Sequence, residues 1–98
     1  MLKKRYISNG RICKVTFTLT SDSDIQSVAL VGDFNNWDKS AMPMKKTEDG
    51  SWKIQLQLET GKEYQYRYFV NDREWQNDQD ADKFAMHPYG GENSTVVT

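Results

Sequence analysis

Two tryptophans lie in polar, turn-forming surroundings: Trp37 in GDFNNWDKSAMPM (32–44) and Trp75 in NDREWQND (71–78). An indole displayed by a turn can stack on a flat ligand ring, while neighbouring amides and a guanidinium bond to the ligand's polar groups. The donors available here are Asn35, Asn36 and Arg67. Sugars suit such a platform because their C–H faces pack on indoles and their hydroxyls bond to these donors. In the alternative interpretation both indoles fold back and cap the ends of the fold.

Catalytic and metal-binding chemistry has little support in the sequence. His87 is the single histidine, which excludes a multi-histidine metal site, and we interpret it as an ordinary loop residue. Cys13 is also alone, which excludes an internal disulfide and a cysteine-based zinc site. No phosphate-binding glycine motif occurs, and nothing singles out a pair of carboxylates. The sequence therefore predicts no catalytic residue, no metal and no cofactor.

An alternating acidic stretch, Asp78, Asp80 and Asp82, resembles the start of a calcium-binding loop. The rest of that loop is missing, because Lys83 stands where glycine is needed and Tyr89 where a bidentate glutamate is needed. The stretch is predicted to be a solvated acidic loop.

The overall charge is close to neutral, with 13 Lys and Arg against 14 Asp and Glu and a net charge of −1. Neither nucleic acid nor a membrane surface is expected as a partner. The longest aliphatic run has only four residues, 28–31, which is too short for a signal peptide or a membrane span, so we expect a cytoplasmic protein. Five of the first 14 residues are basic. Residues 1–12 are interpreted as a solvated, mobile basic segment, or alternatively as a basic docking arm, and 13–98 as one domain.

Period-two alternation of apolar and polar residues predicts strands over 13–19, 52–58 and 64–70, and β-branched runs predict shorter ones over 27–31 and 94–97. Turn signals separate them, and residues 80–86 are compatible with one helical turn ending before Pro88. The fold class is therefore all-β, an antiparallel β-sandwich. Its predicted core residues share strand parity: Val15, Phe17, Leu30, Trp52, Ile54, Leu56, Tyr66, Tyr68 and Val96.

Three segments together resemble a known family: VALVGDFNNWD (28–38), DGSWKIQLQLETGKEYQYRYFVNDREW (49–75) and HPYGGENS (87–94). They look like a family 48 carbohydrate-binding module. This family includes the glycogen-binding domain of the AMP-activated protein kinase beta subunit and the immunoglobulin-like early-set domain of branching enzymes and isoamylases. The resemblance covers residues 13 to 97 and implies the same early-set sandwich, with no enzyme activity of its own.

The resemblance also implies a ligand, an α-1,4-glucan such as glycogen, starch or a maltooligosaccharide. The carbohydrate-binding residues that it implies are two stacking platforms, a basic strand residue and a loop asparagine: Trp37, Trp75, Arg67 and Asn93. Tyr89 is expected to join them by lining the edge of the loop. The sequence departs from the kinase subunit at Tyr89 and Gly91, where that subunit has leucine and threonine, and the stretch from Arg67 to Trp75 is one residue longer. Phe34 is expected to anchor the first tryptophan's turn to the core.

Two functions from different classes fit these residues. The leading one is a noncatalytic α-glucan-binding module, with a glycogen- or starch-metabolising enzyme or another protein as a further partner. The alternative is an early-set protein-interaction module that docks through the same aromatic surface without binding sugar. A sugar site is expected to be a shallow polar groove, whereas a docking surface would carry a larger apolar patch.

Overall fold

The computed structural model describes residues 2–20, 25–86 and 91–98, and within these ranges the chain forms strands and one short 3-10 helix, Asp33–Asn35. The strands are, in chain order, β1 (Leu2–Ile7), β2 (Ile12–Leu19), β3 (Val28–Gly32), β4 (Lys45–Lys46), β5 (Trp52–Glu59), β6 (Glu63–Val70), β7 (Glu74–Gln76), β8 (Lys83–Met86) and β9 (Glu92–Val97).

The strands form two antiparallel sheets packed face to face, which confirms the predicted β-sandwich. One sheet has the order β1-β2-β5-β4. The other has the order β3-β6-β9-β8, with the short β7 paired to the end of β6. The chain crosses between the sheets just before β4: Leu30 in β3 donates its backbone N–H to Met42 O at 2.9 Å, and β4 then pairs with β5.

The core lies between the inward faces that the alternation predicts. Val15, Phe17, Leu30, Tyr66, Tyr68 and Val96 are fully buried, and Trp52 nearly so. The ring of Phe17 on β2 packs edge-on against Tyr66 on β6, with 5.0 Å between ring centroids. This contact joins the two sheets at the centre of the domain.

Ile54 and Leu56, two of the predicted core residues, are only partly buried. Both point inward and pair with β2, Ile54 opposite Phe17 and Leu56 opposite Val15. The short β4 pairs only with Lys53 and Trp52, so the rest of β5 is an edge of its sheet. The alternation fixes which way these side chains point, but the shortness of β4 leaves them half covered.

Two expectations about the ends of the chain are wrong. Residues 83–86 form strand β8 rather than a helical turn, because pairing with β9 satisfies their backbone groups, whereas an isolated helical turn carries the full cost of nucleation. The N-terminal segment is not a mobile arm over 2–7: it is exposed to solvent, but β1 pairs with β2 along its whole length. Lys4 also bonds Asp82 at 2.5 Å, and the Tyr6 hydroxyl donates to Thr98 O at 2.8 Å.

The turn between β4 and β5 is held by one carboxylate. The Thr47 hydroxyl donates to Asp49, and the backbone N–H of Ser51 donates to the same oxygen at 3.0 Å. These bonds, the Thr47 bond most of all, lower the pKa of Asp49 to about 2.

In the ranges that the structure describes, no helix has the length and apolar character needed to cross a membrane.

Candidate functional site

The outward face of the β3-β6-β9-β8 sheet brings the predicted site residues together. Tyr66 and Tyr68 of β6 point into the core, so the alternating Arg67 and Phe69 point outward. A surface cleft of about 230 Å³ is lined by Trp37, Arg67, Trp75 and Asn93. Four of the five predicted site residues thus share one cleft. The fifth, Tyr89, lies outside the described residues, as does His87.

The turn after β3 determines where Trp37 lies. The side chain of Asn35 accepts a bond from Gly32 N at 3.1 Å and donates to Leu30 O at 2.9 Å, closing the turn on itself. Asn36 and Trp37 then adopt left-handed backbone conformations, with φ of 56° and 57°, which asparagine tolerates better than most residues. The backbone N–H of Trp37 donates to Gly32 O at 2.9 Å. Asn35 is therefore committed to the turn and is not a free donor for a ligand.

Gly32 begins this turn because a larger residue would not fit. A Cβ there would lie 2.4 Å from the carbonyl oxygen of Gln65 and 2.8 Å from the Cβ of Tyr66. Phe34 anchors the turn as predicted, its ring centroid lying 5.8 Å from that of Phe17 and 6.4 Å from that of Tyr66. The turn carrying Trp37 is thus packed directly onto the core.

Asp33 fixes the orientation of the first indole. One of its carboxylate oxygens accepts a bond from Trp37 Nε1 at 3.0 Å, and the other accepts from the backbone N–H of Gln65 at 2.8 Å. The sequence indicated an exposed Trp37. The structure shows a half-buried indole, held by this bond. Sequence reasoning missed Asp33. Its position four residues before the tryptophan, across a tight turn, was the available signal.

Trp75 reaches the cleft through β7. This strand pairs with the end of β6 and sets Trp75 opposite Phe69, with ring centroids 4.6 Å apart. Trp75 remains 39% exposed while Phe69 beneath it is buried. Phe69 breaks the inward and outward alternation of the sequence for this reason: it is the outward-facing support of the second indole.

Lys39 links the two tryptophan-bearing segments. Its ammonium lies 5.1 Å from the ring centroid of Phe69 and 5.6 Å from that of Trp75, within the range of cation–π attraction. The neighbouring Asp38 accepts bonds from the backbone N–H and the hydroxyl of Ser40, both at 2.9 Å, and these lower its pKa. Nothing in the sequence alone indicates that Lys39, a loop residue, lies beside rings on β6 and β7.

Arg67 and Asn93 supply the polar wall of the cleft. The Arg67 guanidinium donates to Glu92 O at 2.8 Å, and the Asn93 amide donates to Gln65 Oε1 at 2.9 Å. Asn93 is 3% exposed. Within the described part of the chain, its Oδ1 and the Nε of Arg67 are buried without a hydrogen-bond partner.

The acidic stretch is only partly the solvated loop that the sequence predicts. Asp80 and Asp82 are exposed, but Asp78 is 3% exposed and one of its oxygens accepts bonds from the hydroxyls of Tyr66 (2.8 Å) and Tyr68 (3.0 Å). Burial, and then the nearby negative charge, raise the pKa of both tyrosines. Two core tyrosines need a buried acceptor, and this need is the signal that could have identified Asp78.

Among the described residues, no group of three potential metal ligands comes together.

The two antiparallel sheets, with an open cleft of indoles and polar side chains on one sheet face, define a class by fold, the immunoglobulin-like β-sandwich modules. Comparison with known families identifies the particular group. The profile described as carbohydrate-binding module 48 (isoamylase N-terminal domain) matches residues 14–90, and the chain belongs to this family.

Similar proteins include several bacterial enzymes. The chain is 44% identical over 95 residues to the 1,4-alpha-glucan branching enzyme GlgB of Aquifex aeolicus, covering 91% of this chain and 14% of that protein. It is 35% identical over 72 residues to GlgB 2 of Xanthomonas campestris, covering 72% of this chain and 10% of that one. The protein from Lactobacillus acidophilus is 39% identical over 75 residues, with 74% and 11% covered. The chain thus spans about one seventh or less of the length of these relatives.

Proposed function

We propose that this chain binds α-1,4-glucan noncatalytically, with Trp37 and Trp75 as stacking platforms. The observation that carries the proposal is the shared cleft, in which both indoles lie beside Arg67 and Asn93 on one sheet face. The relatives' name, 1,4-alpha-glucan branching enzyme, supports this class of ligand. In the proposal, Arg67 and Asn93 bond to glucose hydroxyls between or beside the platforms, and Tyr89 lines the edge of the loop.

The size of the cleft favours a chain ligand lying across the surface. Enclosed small-molecule pockets are usually about 300–1,000 Å³, and this cleft has about 230 Å³. A ligand must therefore make much of its contact with the flanking ring faces. By analogy with bases stacked on aromatic side chains, each platform contributes about 1–3 kcal/mol. With a few partly solvated hydrogen bonds, a net of roughly −4 to −7 kcal/mol corresponds to dissociation constants from about a millimolar to about ten micromolar.

The distribution of apolar surface favours sugar binding over protein docking at this cleft. In the described ranges, the exposed large hydrophobic residues are Tyr6, Trp75, Phe84, Met86 and Val97. Of these, only Trp75 lines the cleft. Among the described residues, the cleft lining combines two indoles with two polar side chains and has no extended apolar patch of the kind a docking surface would carry.

Isothermal titration calorimetry with maltoheptaose tests the proposal, and cellohexaose, a β-1,4-linked glucan of different shape, serves as the ligand control. Maltoheptaose is expected to bind in the stated range, with little change between low and moderate salt because a neutral ligand offers no charge to screen. Absence of binding at millimolar maltoheptaose would refute the proposal and favour the protein-interaction function. A steep loss of affinity with salt would show that the preferred ligand is anionic.

A further inference from the structure

Within the described ranges, one backbone carbonyl holds the guanidinium of Arg67. Its terminal nitrogen donates to Glu92 O at 2.8 Å. An arginine side chain is otherwise long and mobile, and ordering it on ligand binding lowers the affinity. The position of Glu92 O therefore decides whether Arg67 is already in place before a ligand arrives.

Asn77 bonds the same carbonyl. Its amide nitrogen donates to Glu92 O at 2.7 Å. Its amide oxygen accepts two bonds from Ser94, from the backbone N–H at 3.0 Å and from the hydroxyl at 2.9 Å. Glu92 and Ser94 are the residues on either side of Asn93. One side chain thus clamps the backbone on both sides of a cleft residue and supports the acceptor of another.

The clamp is tied to the core. The backbone N–H of Asp78 donates to the Ser94 hydroxyl at 2.7 Å, and Asp78 in turn accepts the bonds of Tyr66 and Tyr68. Ser94, which bonds the Asn77 side chain, therefore also belongs to the buried network around Asp78. Asn77 does not line the cleft itself but a separate groove beside Thr18 and Gln79.

We propose that Asn77 is a positioning residue, which sets Arg67 and Asn93 in place in the glucan cleft without touching the ligand. The proposal rests on the function proposed above. Only an amide meets the requirement at this length, because the site needs one donor toward Glu92 O and one acceptor toward Ser94. A carboxylate at the same position would accept from Ser94 but could not donate to Glu92 O, and it would place a charge against that oxygen.

The test compares Asn77→Asp and Asn77→Ala with wild type and with Gln79→Ala, a matched change of an exposed amide in the same groove. The first measurement is the ¹⁵N relaxation of the Arg67 Nε–Hε group in the protein without ligand. Both Asn77 variants are expected to make this group more mobile, and Gln79→Ala is expected to leave it unchanged. The Asn77→Asp variant keeps the size of the side chain, so it separates loss of the clamp from loss of the fold.

The second measurement is the affinity for maltoheptaose. Freeing one long side chain predicts a loss of about three- to tenfold for each Asn77 variant. When Arg67 is first replaced by methionine, one of the two positioned groups is already gone. The same Asn77 substitutions should then reduce the affinity for maltoheptaose by a smaller factor than they do when Arg67 is present. If wild type binds no maltoheptaose, the proposed function fails, whereas the mobility of Arg67 still decides the role of Asn77. If relaxation shows the Arg67 side chain to be as ordered in Asn77→Asp as in wild type, Asn77 does not position Arg67, whatever the stability of the variant.

Discussion

Replacing Asp33 by alanine removes the group that holds the first indole in place. The carboxylate accepts two bonds, from Trp37 Nε1 at 3.0 Å and from Gln65 N at 2.8 Å, and both are near solvent. Hydrogen bonds to a charged acceptor are worth about 1.5–3 kcal/mol at most, and solvent reduces this. We expect Asp33→Ala to lower the free energy of unfolding by about 1–2 kcal/mol and the domain to stay folded.

The effect on ligand affinity follows from the freedom that the indole gains. Immobilising a side chain on binding costs about 0.5–1.5 kcal/mol, so the affinity for maltoheptaose should fall about two- to tenfold. Urea unfolding measures the first effect and calorimetric titration the second. Asp38→Ala is the matched control, because that carboxylate in the same loop bonds Ser40 and not the indole. If Asp33→Ala binds maltoheptaose like wild type, or if Asp38→Ala loses as much affinity, the account of how Trp37 is oriented is wrong.

Three further predictions concern the fold. Phe17→Ala should cost about 3–5 kcal/mol in urea unfolding and Ile54→Ala only about 1–2, since Phe17 is fully buried and Ile54 is half covered; the reverse order would contradict the packing described here. Gly32→Ala should cost about 1–3 kcal/mol because its Cβ would lie 2.4 Å from Gln65 O, and an unchanged urea midpoint would refute that close approach. Hydrogen bonds, chiefly from the Thr47 hydroxyl, lower the pKa of Asp49 to about 2 in the folded protein, against about 4 in the unfolded chain. The ionised Asp49 therefore stabilises the fold fully above about pH 4, and this stabilisation is lost as the pH falls toward 2. Asp49→Asn should therefore flatten the dependence of stability on pH between 5 and 2, and parallel curves for the two proteins would count against this.

The strands that form the centre of both sheets could be predicted from the sequence, because their alternation records which face is buried. Val15, Phe17, Tyr66 and Tyr68 are buried where the pattern places them. The edge strands β1, β4 and β8 could not be predicted this way. Their residues are mostly exposed on both faces, so pairing with a neighbouring strand, rather than burial, determines their structure. β3 also lies at a sheet edge, but it is largely buried and could be predicted. An edge strand that is exposed on both faces leaves little hydrophobic pattern in a sequence.

The candidate site could be predicted as a set of residues but not as a geometry. The resemblance named Trp37, Arg67, Trp75 and Asn93, and the structure places all four around one cleft. Asp33 had a local signal, its position four residues before Trp37, but that spacing does not show that its carboxylate bonds the indole. Asn77 was not predictable, because it bonds two residues far along the chain. Such contacts depend on tertiary distances that neither composition nor periodicity encodes.

The central claim, that the ring of Trp37 is a glucose platform, is tested most directly by titrating maltoheptaose into wild type and Trp37→Ala by calorimetry. Tyr6→Ala is the control, an exposed aromatic residue on the opposite sheet. Loss of one stacking platform predicts at least about a fivefold weaker affinity for Trp37→Ala, with the fold retained, and no change for Tyr6→Ala. A folded Trp37→Ala variant that binds maltoheptaose as tightly as wild type would contradict the claim.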